Sequence, residues 1–235
     1  MEHKDYELQV PEGYSLAYHI DASNKKTGVV MTLGAFIIMI AALALVYAGI
    51  PRPWSFTLFA SDSGRYFVFW VIWLVLEIAY IILHELTHGA VYKALTHQKL
   101  RFGITWNAAF CGVPDIYTYR RVAILSLIAP LTVFTVILVA LALWLRTFST
   151  AWYLVTGVLF ATHISGCVGD MFMTFKFLTK YIDPRTLMRD TGPEQWIYVP
   201  EESGAQSGTA PEESGAQSDA APEESGAQTG TAPEE

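Results

Sequence analysis

The sequence predicts an α-helical integral membrane protein: four transmembrane helices, a short β-hairpin in a cytoplasmic loop and a strand near the N-terminus. Three observations carry that prediction. Of 235 residues, 52% are hydrophobic and the mean hydropathy is +0.33, too apolar for an ordinary water-soluble domain. Four apolar stretches, at 29–50, 66–83, 122–145 and 151–175, approach or exceed the ~20 helical residues that cross a hydrocarbon core, the second by continuing to about Leu95. Lys and Arg alternate across the connections, 3, 2, 5, 1 and 4 in chain order, which places both termini in the cytoplasm by the positive-inside rule.

Each element follows from its own residues. In YSLAYHID (14–21), Tyr14, Leu16, Tyr18 and Ile20 alternate with smaller or polar residues, the period of a strand, and Ser23 to Lys26 read as a turn. The run from Val29 lies behind 28 mixed polar residues and is too long for a cleaved signal, so it reads as a retained anchor. KLRFGITW and NAAFCGVP flank a turn at Asn107 and predict the hairpin. Trp54, Trp70, Trp73, Trp144 and Trp152 mark span ends as an interfacial belt, and Arg120 and Arg121 mark the cytoplasmic end of span three, facing anionic lipid.

From Pro200 the chain repeats every eleven residues (PEESGAQSGTA, PEESGAQSDAA, PEESGAQTGTA). A proline and a glycine in each repeat exclude a hendecad coiled coil and predict a disordered acidic tail. Nine of the 22 acidic residues and none of the 15 basic ones lie there, so residues 1–199 carry 15 basic against 13 acidic groups despite the formal charge of −7. The expected organisation is a cytoplasmic segment 1–28, a four-span domain 29–199 and the tail 200–235. Cys111 and Cys167 have no CxxC spacing and read as free thiols in a reducing compartment.

Chemistry concentrates in ILHELTHGA (82–90). HELTH fits H-E-x-x-H: on a helix, residues i and i+4 lie about 40° apart, so His84 and His88 can grip one Zn²⁺ while Glu85 serves as general base toward metal-activated water. A third ligand is expected from Asp170 in SGCVGD, because a carboxylate near mid-span costs about 2.5–3.5 kcal/mol without a partner. Counted from Tyr66 and Trp152, His84 and Asp170 each lie 18 residues along their spans, about 27 Å at 1.5 Å per residue, and so at one level. Glu77 and His163 lie 11 residues along and are expected to meet, as a structural pair or a tuning pair. His163 is also an alternative third ligand. Cys167, one turn before Asp170, and Cys111 read as packing thiols, and His3, His19 and His97 as solvated residues.

With LHELTHG, RRVAILSLIAP and SGCVGD in view, the chain resembles the small membrane family described as "putative zincin peptidase", formerly a domain of unknown function, and more distantly the site-2-protease class of intramembrane metalloproteases. The resemblance runs from about Pro11 to Tyr198. It implies His84, His88 and Asp170 as zinc ligands and Glu85 as the catalytic glutamate. The chain lacks the Asn-x-x-Pro stretch and Leu-Asp-Gly sequence of site-2 proteases.

The expected function is therefore zinc-dependent hydrolysis of a peptide bond in a membrane-associated protein near the cytoplasmic face, in a prokaryotic cell membrane. Lipid and the protein substrate are the expected partners, with no nucleic acid. A non-catalytic zinc-binding scaffold or regulator is the alternative. A metal transporter using Glu77, His163 and Asp170 ranks last, because the two halves show no repeat symmetry.

Overall fold

A computed structural model describes residues 4–50, 63–106 and 108–201. In it, strands that are far apart in sequence close one sheet against the ends of a helical bundle. The alternating segment forms β2 (Tyr14–Asp21), as expected. Asn24 then caps helix α1 (Lys25–Ala48), its side-chain oxygen accepting from the Lys26 amide at 2.9 Å. Helix α2 (Ser63–Thr96) joins the second apolar stretch to HELTH without a break and ends where His97 takes a left-handed φ of 57°. The predicted hairpin is present as antiparallel β3 (Arg101–Ile104) and β4 (Ala109–Gly112). Its predicted turn residue Asn107 lies outside the described residues, as do Trp54, His3 and the repeats beyond Glu201.

After β5 (Tyr117–Tyr119) comes helix α3 (Arg120–Leu145), containing the third stretch and Pro130. The fourth stretch departs from expectation. It is not one helix but two, α4 (Thr150–Gly166) and α5 (Val168–Thr179), bent by 45° at Cys167. Gly166 and Gly169 flank the bend, and glycine is the poorest helix former after proline. Among the described residues, three helices, α1, α2 and α3, are long and apolar enough to cross a membrane, and there are four candidates if the bent pair counts as one span.

A larger sheet was not evident from the sequence. β1 (Tyr6–Glu7), β6 (Leu187–Asp190) and β7 (Glu194–Pro200) combine with β5 and β2 in the order β1-β5-β6-β7-β2, every pairing antiparallel. Its apolar face covers the ends of α2, α3 and α5 around Tyr92, Val122, Phe177, Met188 and Ile197. The hairpin seats on this sheet through bare backbone. Val113 donates to the Asp190 carbonyl at 2.8 Å, and a Cβ on Gly112 would stand 2.5 Å from the Gly192 nitrogen.

Arg120 does not turn outward to lipid. It is half-buried, and its guanidinium donates to the carbonyls of Phe177 (3.0 and 3.2 Å) and Tyr181 (3.0 Å), closing the C-terminal end of α5. Arg121 is exposed.

Candidate metal centre

Helix α2 is amphipathic in an inverted sense. Glu77, Tyr80, His84, His88, Tyr92 and Thr96, spaced three or four residues apart, share the face turned into the protein. The opposite face exposes Ile78, Ile81, Ile82, Leu83 and Leu86. His84 and His88 are thereby buried, at 8% and 7% exposure. Asp170 stands in the first turn of α5, which the bend at Cys167 aims back toward α2.

Three donor atoms converge. His84 Nε2 is 3.4 Å and His88 Nε2 3.5 Å from Asp170 Oδ2, and the two nitrogens are 3.2 Å apart. For a tetrahedral ion with ligands at ~2.0–2.1 Å, donors are separated by ~3.3–3.4 Å. The triangle thus has the size of one face of a zinc site, and its donor set, two imidazoles and a carboxylate, is one that zinc takes.

The orientation of His88 has a sequence origin. Its Nδ1 lies 2.9 Å from the Ser126 carbonyl. A carbonyl only accepts, so Nδ1 carries the proton and Nε2 presents a lone pair. In a regular helix that carbonyl would accept from residue 130, which is Pro130 and has no N–H. The proline in RRVAILSLIAP therefore frees the acceptor that holds the histidine.

Glu85 sits beside the triangle, facing the backbone N–H of Cys111 in β4. A cavity of about 290 Å³ opens over His84, Glu85, His88 and Asp170, walled by α1, by β4 and by the Gly166–Gly169 segment. At Gly166 and Gly169 an added Cβ would meet nothing within 4 Å. At these two positions the wall is bare backbone.

Glu77 and His163 do not form the expected pair. Glu77 accepts from Thr162 Oγ1 at 2.7 Å, whereas His163, fully buried, lies 2.8 Å from Tyr80 Oη and 3.0 Å from Thr135 Oγ1. The helices run side by side at the matching level, but the α4 residue turned toward Glu77 is the neighbour of His163. His163 belongs to a second group able to hold a metal, His84–His163–Cys167, in which Cys167 Sγ is 3.7 Å from His163 Nδ1.

Sequence reasoning missed Tyr80, although its position four residues before His84 was a usable signal. Its hydroxyl lies 2.9 Å from His84 Nδ1. It also missed Asp190, a buried carboxylate at the cavity's edge that accepts from Tyr92 Oη (2.7 Å) and the Gly192 amide (2.9 Å). Burial raises the Asp190 carboxyl to about 6. Burial, with the Asp190 and Glu85 carboxylates nearby, pushes the Cys111 thiol up to about 12, in keeping with a packing role. His19 is exposed, bonded to Glu194 and stacked on Trp196, and His97 is exposed.

Residues 77–182 match the model of the family described as "Putative zincin peptidase", the resemblance that LHELTHG, RRVAILSLIAP and SGCVGD suggest. The matched segment spans α2 from Glu77 through the end of α5 and so contains every residue of the triangle. No curated protein and no solved structure matches the chain.

Proposed function

We propose that the protein is a zinc-dependent, membrane-embedded peptidase that hydrolyses a peptide bond of a membrane-associated protein near the cytoplasmic face. The donor triangle of His84, His88 and Asp170, with edges of 3.2–3.5 Å and Glu85 beside it, carries this reading. His84, His88 and Asp170 would hold a zinc ion, which would supply Lewis acidity toward water and a carbonyl. Glu85 takes the proton of the attacking water on its carboxylate and returns it to the leaving amine. The Cys111 amide steadies that carboxylate from β4. β4 lines the cavity, in keeping with an extended substrate segment lying along it.

Strand pairing supports four membrane crossings. β2 precedes α1, β5 lies between α2 and α3, and β6 follows α5, yet all three belong to one sheet. Hydrogen-bonded strands share one side of a bilayer, so the chain crosses an even number of times between β2 and β5, and again between β5 and β6. Two and two satisfy this, with the bent pair as the fourth span. The connections on the sheet's side carry the larger Lys and Arg counts, which supports a cytoplasmic placement of that side. The inverted face of α2, polar inward and aliphatic outward, suits a lipid surround.

The test is the zinc content of detergent-purified protein together with cleavage of a membrane-associated substrate. Zinc bound by the wild type and lost in H84A, H88A and D170A supports the site. E85A should keep zinc and lose about 10²–10⁴-fold in cleavage rate. Unchanged cleavage by E85A removes Glu85 from the mechanism, and a wild type that takes up no offered zinc overturns the reading.

A further inference from the structure

A line of hydrogen bonds leads away from His84 through the bundle, and its direction is set at its far end. His163 faces α3 with one edge of its ring, against the carbonyl of Leu131 and the hydroxyl of Thr135, 3.0 Å from Nε2. A carbonyl only accepts, so that edge of the neutral ring carries the proton and Nδ1 presents a lone pair. Nδ1 is 2.8 Å from Tyr80 Oη. The tyrosine has one proton, which goes to His163, and its oxygen is left to accept. Its other partners are the weakly bonding thiol of Cys167 and, at 2.9 Å, His84 Nδ1, which therefore carries N–H. With its proton on Nδ1, His84 presents a bare Nε2 to His88 Nε2 and Asp170 Oδ2. All three atoms of the triangle are then acceptors facing one another, an arrangement that calls for a cation.

We infer that Tyr80 and His163 are positioning residues: a buried strut, anchored on the Leu131 carbonyl, that fixes the tautomer and ring orientation of His84 for metal binding. The strut is enclosed by the rings of Phe134 and Phe160, which pack on Tyr80 and His163, and Tyr80 belongs to the small apolar cluster with Leu138 and Leu159. Polar atoms in such a place hold their partners tightly, because no water competes for them. His88 receives the same service from the Ser126 carbonyl, so the two imidazoles are oriented through separate carbonyls of α3. The consequence for metal affinity rests on the zinc reading of the triangle, whereas the bond directions rest on the carbonyl alone.

The experiment is zinc affinity, by chelator competition, of full-length protein in detergent for wild type, Y80F, H163L, H163N, C167A and D170A. The thermal midpoint of each metal-free form serves as the control for folding. Histidine ¹⁵N spectra report the tautomer of His84. Y80F should still bind one zinc at saturation but 10–100-fold more weakly, the usual effect of losing an outer hydrogen bond to a ligand. H163L should weaken binding in the same direction. H163N, whose side-chain oxygen can accept the Tyr80 proton, should restore it. A merely structural role would lower the metal-free midpoint of Y80F and H163L and leave affinity alone. Wild-type affinity in Y80F overturns the strut and leaves the zinc site standing. Loss of zinc in H163L and C167A with retention in D170A assigns the metal to the His84–His163–Cys167 group and overturns both readings, as does a wild type that binds no zinc.

Discussion

Phe177 and His163 are both fully buried, on helices that follow one another in the chain, and they are buried for opposite reasons. Phe177 lies in the cap, where the sheet meets the ends of α2, α3 and α5 and where aliphatic and aromatic residues are removed from water. His163 lies in the bundle, where the outer surface is itself aliphatic and the inside is the only shelter for a polar group. In the cap, burial measures hydrophobicity. In the bundle it measures partnership: His84, His88 and His163 each have a named hydrogen-bond acceptor or donor. Polar burial in the second region is therefore the better guide to function.

That contrast can be broken by substitution. The largest expected effect is in the cap, where Phe177→Ala should destabilise the protein by about 3–5 kcal/mol, read as a lowered thermal midpoint in detergent. Ile78→Asp, on the exposed face near the middle of α2, should cost about 2.5–3.5 kcal/mol of membrane insertion. An insertion assay in which it behaves like wild type would show that this face does not meet lipid.

Asp190 sharpens the comparison, because it is a carboxylate buried in the cap. Its folded pKa of about 6 lies above the ordinary 3.8, so the native chain holds a proton that the unfolded chain releases. Its contribution favours the fold below about pH 4, declines as pH rises to about 6 and is level above, a fall of roughly 2–3 kcal/mol. Asp190→Asn should flatten that slope in unfolding measurements across the same range. Pro130→Ala is the smallest effect proposed. It returns an amide to compete for the Ser126 carbonyl and should weaken zinc binding by up to about tenfold, about 1.4 kcal/mol, while stabilising α3 itself. Affinity equal to wild type would show that the carbonyl serves both donors at once.

What could be read in advance follows the same division. The apolar stretches, the helix through HELTH and the level of Asp170 were legible because helical rise is regular and charge is costly in lipid. The bend at Cys167 was not, since 151–175 reads as one mostly apolar stretch and a glycine alone does not say where a helix turns. The five-stranded sheet was hidden for another reason. β2 pairs with β7, Tyr14 opposite Pro200, and no local pattern announces a partner so distant. Glu77 and His163 show the limit of counting: axial rise put them at one level, but one residue of rotation gave Glu77 to Thr162 and His163 to Tyr80.

The bend before Asp170 also has a consequence in time. The 82 residues from His88 to Asp170 take roughly 4–16 s to synthesise at ~5–20 residues per second, and β7 emerges later still. Through that interval the first helical pair holds two imidazoles with no carboxylate between them. The last donor arrives on a short helix already angled inward, and the sheet then latches β2 to β7. Assembly of the centre is thus a late event, coupled to completion of the second helical pair. A ribosome stalled between Ser126 and Asp170 would display HELTH with neither its third donor nor its lock.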